Sequence, residues 1–381
     1  MKFFHLSDLH IGKSVNGFSM IEEQEHVFEQ VFGYIKTERP DAVLIAGDVY
    51  DHANPSVEAT RVFDNFLTVL AQKEVAVLLI TGNHDSQRVN FASRLLSDKQ
   101  LFIYGAFDGN IRKVILSDEH GDVHFWLLPF IKPTMVSGMF GEREIETYDD
   151  AVAAALESAD IDYTVRNVLV SHQFYVKSGV EAIRSESEWD PVGGLDAVNV
   201  ELIERFDYVA LGHLHRQQSV GLEHIRYCGS PIKYSISEWR HEKSITVVEL
   251  GEKGTLTLNS LPLTPLHDMR EIKGELEKLM SDEISSLADK EDYLHVLLTD
   301  EEHIFDARGK LLSVYPRIMK IGFENSRMSV DFSTIATSTE KVEKLSPYDL
   351  FGMFFLETQG SVMSEEQSKI VRELLDEELG G

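Results

Sequence analysis

Five short apolar runs in this chain each stop at side chains able to bind a metal: Asp8 and His10, Asp48, Asn83 and His84, His172, then His213 and His215. In a parallel α/β sheet, functional groups gather outside the carboxyl ends of the strands, so residues far apart in sequence meet in one crevice. A mixture of carboxylate, amide and imidazole can hold two divalent cations around one shared carboxylate, and such a pair hydrolyses phosphate esters. Taken singly, each motif has a plainer reading. Asp8-Leu9-His10 suits a solvated turn, Gly47-Asp48 a helix cap, and Gly82-Asn83-His84-Asp85 an ordinary turn rich in Asn and Asp. A histidine standing alone after a buried strand is more often a satisfied core residue. The plainer readings leave unexplained why the pattern recurs at five strand exits.

The elements that must position these groups follow from the hydrophobic pattern. Lys2 to Leu6, Ala42 to Ile45, Val75 to Ile80, Asn167 to Val170 and Tyr208 to Leu211 are short, rich in Val, Ile and Leu, and do not alternate. That is the pattern of strands covered on both faces. Between the first two lies an amphipathic helix opened by Ser19, with Ile21, Val27, Phe28, Val31, Phe32 and Ile35 on one face. A second helix follows Pro55-Ser56, with Ala59, Phe63, Phe66, Leu67 and Leu70 turned inward together. Strand, helix, strand, helix, strand predicts crossover units. Beyond Gly212, Ile225 to Tyr227, the turn Gly229-Ser230-Pro231, Ser244 to Leu250 and Thr255 to Leu261 predict the far edge of a two-layered sheet.

From about Pro265 a fresh pattern begins: helix Gly274 to Met280, strand Tyr293 to Leu298, helix Glu302 to Tyr315 and strand Arg317 to Phe323. The expected organisation is a first domain over 1–263, a small α/β domain over 264–335 and a helical segment over 336–381. In that last segment Ser346-Pro347 starts one helix, and Ser364 with Gln367 gives a capping-box signal for another. Phe351, Phe354 and Phe355, then Ile370, Leu374 and Leu375, give the two helices apolar faces. The fold class is therefore α/β, a two-layered central sheet flanked by helices with a small capping domain and C-terminal helices.

Composition limits what the chain can do. At 381 residues it has room for two domains, and 43% hydrophobic with 26% charged residues is an ordinary globular balance. The single cysteine, Cys228, rules out an internal disulfide and a cysteine-based zinc site, so metals must use oxygen and nitrogen. The N-terminus reaches Ser7 and Asp8 too soon for a signal peptide, and no run approaches membrane-spanning length, so a cytoplasmic location without membrane contact is expected. A formal charge of −28 argues against gripping nucleic acid by the overall field. Phosphate contact must then be local, helped by cations, or supplied by a partner.

The order Asp-x-His, Gly-Asp, Gly-Asn-His-Asp, Ser-His and Gly-His-x-His resembles the calcineurin-like metallophosphoesterases. Ser7-Asp8-Leu9-His10-Ile11-Gly12, Ala46-Gly47-Asp48-Val49-Tyr50-Asp51 with Asn54-Pro55-Ser56, and Tyr227-Cys228-Gly229-Ser230-Pro231 bring the likeness closest to their SbcD branch, bacterial exonuclease subunits related to repair and recombination nucleases. The resemblance implies one cation on Asp8, His10, Asp48 and His215, and a second on Asp48, Asn83, His172 and His213, with Asp48 as the bridge. Mn(II) is the cation it implies, and the donor set suits a first-row ion better than Mg(II). His84 matches the family's catalytic histidine, donating to the phosphate or the departing oxygen, and Asp85 is expected to orient it. Archaeal and eukaryotic relatives carry a further histidine where this chain has Asp51, and His52 receives no role. The implied activity is exonuclease on duplex DNA ends and endonuclease on single strands and hairpins, in a homodimer assembled with the coiled-coil ATPase SbcC as a heterotetramer.

Gly12-Lys13-Ser14 looks like the end of a phosphate-binding loop, but Ser7 stands where the first glycine belongs, so this chain is expected to bind no nucleotide and to leave ATP to its partner. DNA contacts are expected from Lys13, Asn16 and Phe18, from Arg88 and Arg94, from Arg216 and Gln217, and from Lys233, Arg240 and Lys243, although each also suits a solvated surface. Two rivals stand beside this reading: a cyclic-nucleotide or protein phosphoesterase, and a non-catalytic scaffold stabilised by metal. The second domain and the phenylalanine-rich tail speak against the first, and the intact His84 against the second.

Overall fold

The computed structural model describes residues 1–86, 89, 100–177, 185–188, 196–302, 304–324, 347–348, 350–352, 355 and 363–379. They divide into two compact units, Met1–Arg270 and Glu271–Gly381.

The first unit is a sandwich of two six-stranded sheets. One is built from β1 (Lys2–Leu6), β2 (Ala42–Ala46), β3 (Ala76–Ile80) and β4 (Leu101–Tyr104), all parallel, and is completed in antiparallel fashion by Ser244–Leu250 beside β1 and Leu256–Pro262 at the edge. The other contains β5 (Arg112–Asp118), β6 (Gly121–Leu128), β7 (Arg166–Ser171), β8 (Tyr208–Leu211), β9 (Gln218–Val220) and β10 (Leu222–Tyr227). There β6, β7, β8 and β10 are parallel, and the hairpin strands β5 and β9 close the two edges antiparallel.

Every residue of β2, β3 and β8 is buried, because both faces of each strand are covered. Alternate side chains of the two sheets meet in one core: Phe3, Leu44, Leu78 and Ile80 against Phe125, Leu127, Val168, Val170 and Tyr208. The outer face of the first sheet is covered by α1 (Ile21–Glu38) and α2 (Val57–Gln72), whose Phe28 and Phe66 rings lie 4.4 Å apart. The outer face of the second is covered by α3 (Tyr148–Ser158), which brings Ala151, Val152 and Ala155 onto Leu169, Val209 and Leu211.

Strand positions follow the sequence pattern closely, with two local differences. Met20, not Ser19, is the residue before α1 and offers no side-chain cap; Ser19 Oγ instead accepts from Ile21 N at 3.4 Å. Ser56 does cap α2, accepting from Ala59 N at 3.1 Å. β4, β5, β6 and α3 carry no chemistry at their ends and were not anticipated. β5 is an edge strand with no buried residue, so it lacks the apolar run that marks the others.

In the second unit a three-stranded sheet, Met269–Gly274, Tyr293–Leu298 and Ile318–Phe323, packs Leu294, Val296, Leu298 and Ile318 against Leu276, Leu279 and Leu311. The helix expected over 302–315 is only Ala307–Leu312, started by Asp306, whose carboxylate accepts from Gly309 N. Glu365–Leu379 is helical with the capping box in place: Ser364 N donates to Gln367 Oε1 and Gln367 N to Ser364 Oγ. Ser346, Phe354 and most of the segment around them lie outside the described residues.

Candidate metal centre

Beyond the ends of β1 and β2 the chain keeps pairing for one more turn: Asp8 N donates to Gly47 O, His10 N to Asp48 O and Ile11 N to Val49 O at 2.8–3.0 Å. This ladder holds the two loops in one fixed register. Asp8, His10, Asp48 and His213 all have positive φ, at 52°, 41°, 50° and 103°. Non-glycine residues in that region cost about 1–3 kcal/mol each and persist where surrounding contacts over-determine them, commonly at functional sites. The strain turns four side chains off their strands toward one point.

Glycines make the approach possible. A Cβ on Gly47 would lie 2.3 Å from His172 Nδ1, one on Gly82 2.2 Å from Asp48 Oδ1, and one on Gly212 2.0 Å from Ala46 O. Through Gly47 and Gly212 the two sheets close on His172. The glycine before each of these three motifs is therefore space for groups arriving from the neighbouring strand.

All seven expected ligands converge. Asp8, His10 and His215 bring one ligand atom each within 4.8 Å of one another, as do Asp8, Asp48 and His172. His10 Nε2 and His215 Nε2 are 3.1 Å apart, and His10 Nε2 is 3.7 Å from Asp48 Oδ2. On the other side, His172 Nε2 lies 3.2 Å from Asp48 Oδ2 and 3.1 Å from Asn83 Oδ1, which is also 3.0 Å from His213 Nδ1.

The proton positions test whether cations fit. His172 Nδ1 donates to Ala46 O at 2.6 Å, and His215 Nδ1 points to Ser187 Oγ at 2.8 Å and Glu238 Oε1 at 3.2 Å. In each neutral ring Nε2 is then a lone pair, and it faces a carboxylate, an amide oxygen or another ring nitrogen. Acceptors aimed at acceptors repel unless a positive charge lies between them. The residues thus fit divalent cations, with Asp48 Oδ2 standing between His10 Nε2 and His172 Nε2. Without a cation a proton takes that place: burial would lower His172, but Asp48 and Asp8 outweigh it and raise it to about 9. Burial would raise Asp48, but His172, His10 and His84 pull it well below the usual carboxylate range.

The catalytic candidates stand beside this cluster. The His84 ring is 4.8 Å from that of His10, its backbone N–H donates to Asp48 Oδ1 at 2.9 Å, and its Nδ1 donates to Asp51 O at 2.9 Å. Asp85 does not orient this ring, as the sequence suggested. Its carboxylate accepts from the backbone N–H groups of Val49, Tyr50 and Gly82 at 2.9–3.0 Å, clamping the β2 and β3 exits together. Burial, and then the Asp48 charge, push that carboxyl up to about 6. The orienting group for His84 is the Asp51 carbonyl. The Asp51 side chain lies 3.5 Å from His10 Nδ1, and His52 points outward.

The expected DNA contacts separate into two kinds. Lys13 Nζ is held by Asp51 Oδ1 at 2.7 Å, Lys233 Nζ by Asp268 Oδ1 at 2.7 Å and by two backbone carbonyls, and Lys243 is buried against Glu238. These three are engaged inside the protein. Gln217 Nε2 donates to Thr246 Oγ1. Arg216 and Arg240 are exposed and line a groove of about 240 Å³ that reaches His215, with Arg240 stacked on Trp239. Asn16 is exposed in the turn of a small ribbon that includes Phe18. Arg88 and Arg94 lie outside the described residues.

Sequence reasoning missed the supports. Gln24 on α1 donates to Leu9 O and His10 O and accepts from Gly12 N, and Tyr234 donates to Leu9 O while packing on the His10 and His215 rings. Ser7 Oγ donates to Asp8 Oδ2 at 2.5 Å. Glu238 lies in the loop after Pro231, away from any strand exit, so only its being a buried carboxylate gives it away.

The chain is similar to known proteins along nearly its whole length. Residues 1–217 match the calcineurin-like phosphoesterase family, and residues 265–359 match the SbcD C-terminal family, described as type 5 capsule protein repressor C-terminal domain. A relative from Staphylococcus epidermidis, the D subunit of the nuclease SbcCD, is 31% identical over 98% of both chains. A protein of the same description from Staphylococcus saprophyticus is 29% identical over the same shares. Among solved structures, a dimetal phosphatase from Danio rerio covers 70% of this chain and 99% of its own at 14% identity, with a TM-score of 0.41.

Proposed function

The chain belongs to the calcineurin-like phosphoesterase family and is a metal-dependent nuclease subunit of the SbcCD type, and from that premise we propose how its residues divide the work. One cation is held by Asp8, His10, Asp48 and His215, the other by Asp48, Asn83, His172 and His213, and Mn(II) is the ion that four imidazoles and two carboxylates suit. When bound, the pair supplies Lewis-acid stabilisation of the phosphodiester and a nucleophile at neutral pH. The observation that carries this reading is the set of acceptor atoms aimed at one another around Asp48.

The chain's own groups do the rest. His84, fixed by its Nδ1–H to the Asp51 carbonyl, presents Nε2 to the departing oxygen and, when protonated there, donates to it. Asp85 keeps the β2 and β3 exits at one spacing, so Asp48 and His84 hold their mutual geometry. Arg216 and Arg240, exposed beside His215, take the phosphates flanking the cleaved bond.

Residues 1–263 form the nuclease domain in this proposal, 264–335 a DNA-facing α/β domain, and 336–381 the docking segment for a coiled-coil ATPase. Exposure of Ile370 and Leu374, at 56% and 55% on a well-capped helix, supports the docking role. The working assembly is a homodimer of this chain within a heterotetramer. Deletion of residues 340–381 abolishes co-purification with the ATPase in this account; undiminished co-purification would refute the docking role.

The test of function is hydrolysis of linear duplex, hairpin and single-stranded DNA with Mn(II), beside Asp48→Ala and a cyclic-nucleotide control. DNA cleavage that disappears in Asp48→Ala is expected. Turnover of the cyclic nucleotide alone would overturn the nuclease assignment, and no turnover of either would favour a scaffold.

A further inference from the structure

We propose that Glu238 is a positioning residue for one cation site: paired with Lys243, it fixes the tautomer of His215 so that Nε2 is free to bind metal. The inference rests on the metal-centre reading given above.

Both carboxylate oxygens of Glu238 have partners. Glu238 is 0% exposed. Its Oε2 accepts from Lys243 Nζ at 2.6 Å, and its Oε1 accepts from Ser187 Oγ at 2.7 Å and faces His215 Nδ1 at 3.2 Å. Ser187 Oγ in turn accepts from His215 Nδ1 at 2.8 Å. Lys243 Nζ spends its other two protons on His215 O at 2.9 Å and Ser230 Oγ at 2.8 Å, which exhausts the donors of an ammonium. His215 N donates to Glu188 Oε1 at 2.7 Å. The residue is thus gripped at its N–H, its carbonyl and its ring.

A simpler role for Glu238 would be to neutralise a buried lysine, since an unpaired buried charge is strongly unfavourable. That role explains the contact of Oε2 but assigns nothing to Oε1. A carboxylate behind a metal-binding imidazole fixes the ring's tautomer and orientation, and loss of such a partner typically weakens metal binding 10–100-fold.

The two roles part company when the acceptors are counted. A glutamine at 238 has one acceptor oxygen, which the Lys243 ammonium claims, leaving its NH₂ facing Ser187 and His215. The Ser187 hydroxyl, having lost its acceptor, then turns its proton to His215 Nδ1, whose own proton moves to Nε2, where the metal should bind. Removing the lysine as well frees the glutamine oxygen to face His215 again.

The experiment compares the full chain with Glu238→Gln and with Glu238→Gln/Lys243→Met, reading Mn(II) binding by electron paramagnetic resonance, the His215 ring tautomer by ¹⁵N NMR without metal, and thermal melting. The expected result is two Mn(II) sites in the parent, one of them weakened 10–100-fold in the single variant, and recovery to within a few-fold in the double. The tautomer should be Nδ1–H in the parent, Nε2–H in the single variant and Nδ1–H again in the double. Parental Mn(II) affinity at both sites in the single variant overturns the proposal. So does a double variant that melts like the parent yet does not regain the site. Should the single variant fail to melt cooperatively, the double variant decides alone: an Nε2–H ring there overturns the proposal, and an Nδ1–H ring with two Mn(II) sites supports it. Absence of Mn(II) binding in the parent would instead overturn the metal-centre reading, while the tautomer comparison still decides the role of Glu238.

Discussion

The sharpest perturbation of the centre is a single methyl group. In Gly82→Ala the new Cβ would lie 2.2 Å from Asp48 Oδ1, 2.5 Å from Asp48 N and 2.7 Å from Asp48 Cγ, with no backbone strain at that position. Ordinary contact begins near 3.4 Å, so the carboxylate oxygen must retreat by 1.2 Å and the backbone nitrogen by 0.9 Å. Rotation of the side chain can relieve the first clash but not the second, so the two strand exits must part. Metal–ligand distances tolerate about 0.2 Å, and Asp48 is the ligand both sites share. Both Mn(II) affinities should therefore fall at least 100-fold, about 2.8 kcal/mol per site at 1.4 kcal/mol per decade. Overpacking should also lower metal-free stability by about 1–3 kcal/mol. Mn(II) titration by electron paramagnetic resonance reads the first quantity and denaturant melting the second. Gly33→Ala is the matched control: on the exposed face of α1 with nothing within 4 Å, it should stabilise by about 0.5–1 kcal/mol and leave Mn(II) binding alone. A Gly82→Ala chain that binds two Mn(II) ions with parental affinity would refute the reasoning.

Other expectations are independent of that wedge. His84→Ala should keep both Mn(II) sites and lose 10²–10⁴ in cleavage rate; cleavage at the parental rate would remove its role as donor. Asp118 is held below the usual carboxylate range, first by Arg166 and also by the N-terminal amine, with Arg166 3% exposed. Asp118→Asn should therefore cost about 1 kcal/mol at neutral pH, because Arg166 loses its carboxylate but keeps the carbonyls of Gly121, Leu250 and Gly251. A depressed carboxyl contributes stability above its unfolded pKa and loses it as pH falls through the folded one, so parent and variant should converge on acidification below about pH 4. A gap that stays constant with pH would contradict this. Burial pushes the Cys228 thiol up and leaves it beside Ser7. A thiol reagent should label the chain only at the rate of unfolding, and rapid labelling of the native chain would show the seam between the sheets to be open.

The strand exits were legible because two signals coincide there: an uninterrupted Val/Ile/Leu run needs cover on both faces, and the residue after it carries a ligand. The runs at Lys2 to Leu6 and Tyr208 to Leu211 match the observed strands at both ends. β5, with its exposed edge and charged residues, carries neither signal. At the site, residues that touch a cation advertise themselves by type, whereas those that hold them do not. Glu238 lies 23 residues beyond His215 in sequence and reaches it only because the second sheet's edge folds back. Asp85 was legible as part of the motif but not in its role, since three backbone amides from two loops define it. Lys13, Lys233 and Lys243 look alike as charges in the sequence, and only their carboxylate partners separate them from Arg216 and Arg240.

The central claim is that one carboxylate joins two cation sites. A crystal of the chain soaked in Mn(II), measured at the manganese absorption edge, tests it most directly. Two anomalous peaks are predicted, one enclosed by Asp8, His10 and His215, the other by Asn83, His172 and His213, with Asp48 reaching both. A single peak at saturating ion, or peaks away from these residues, would contradict the account.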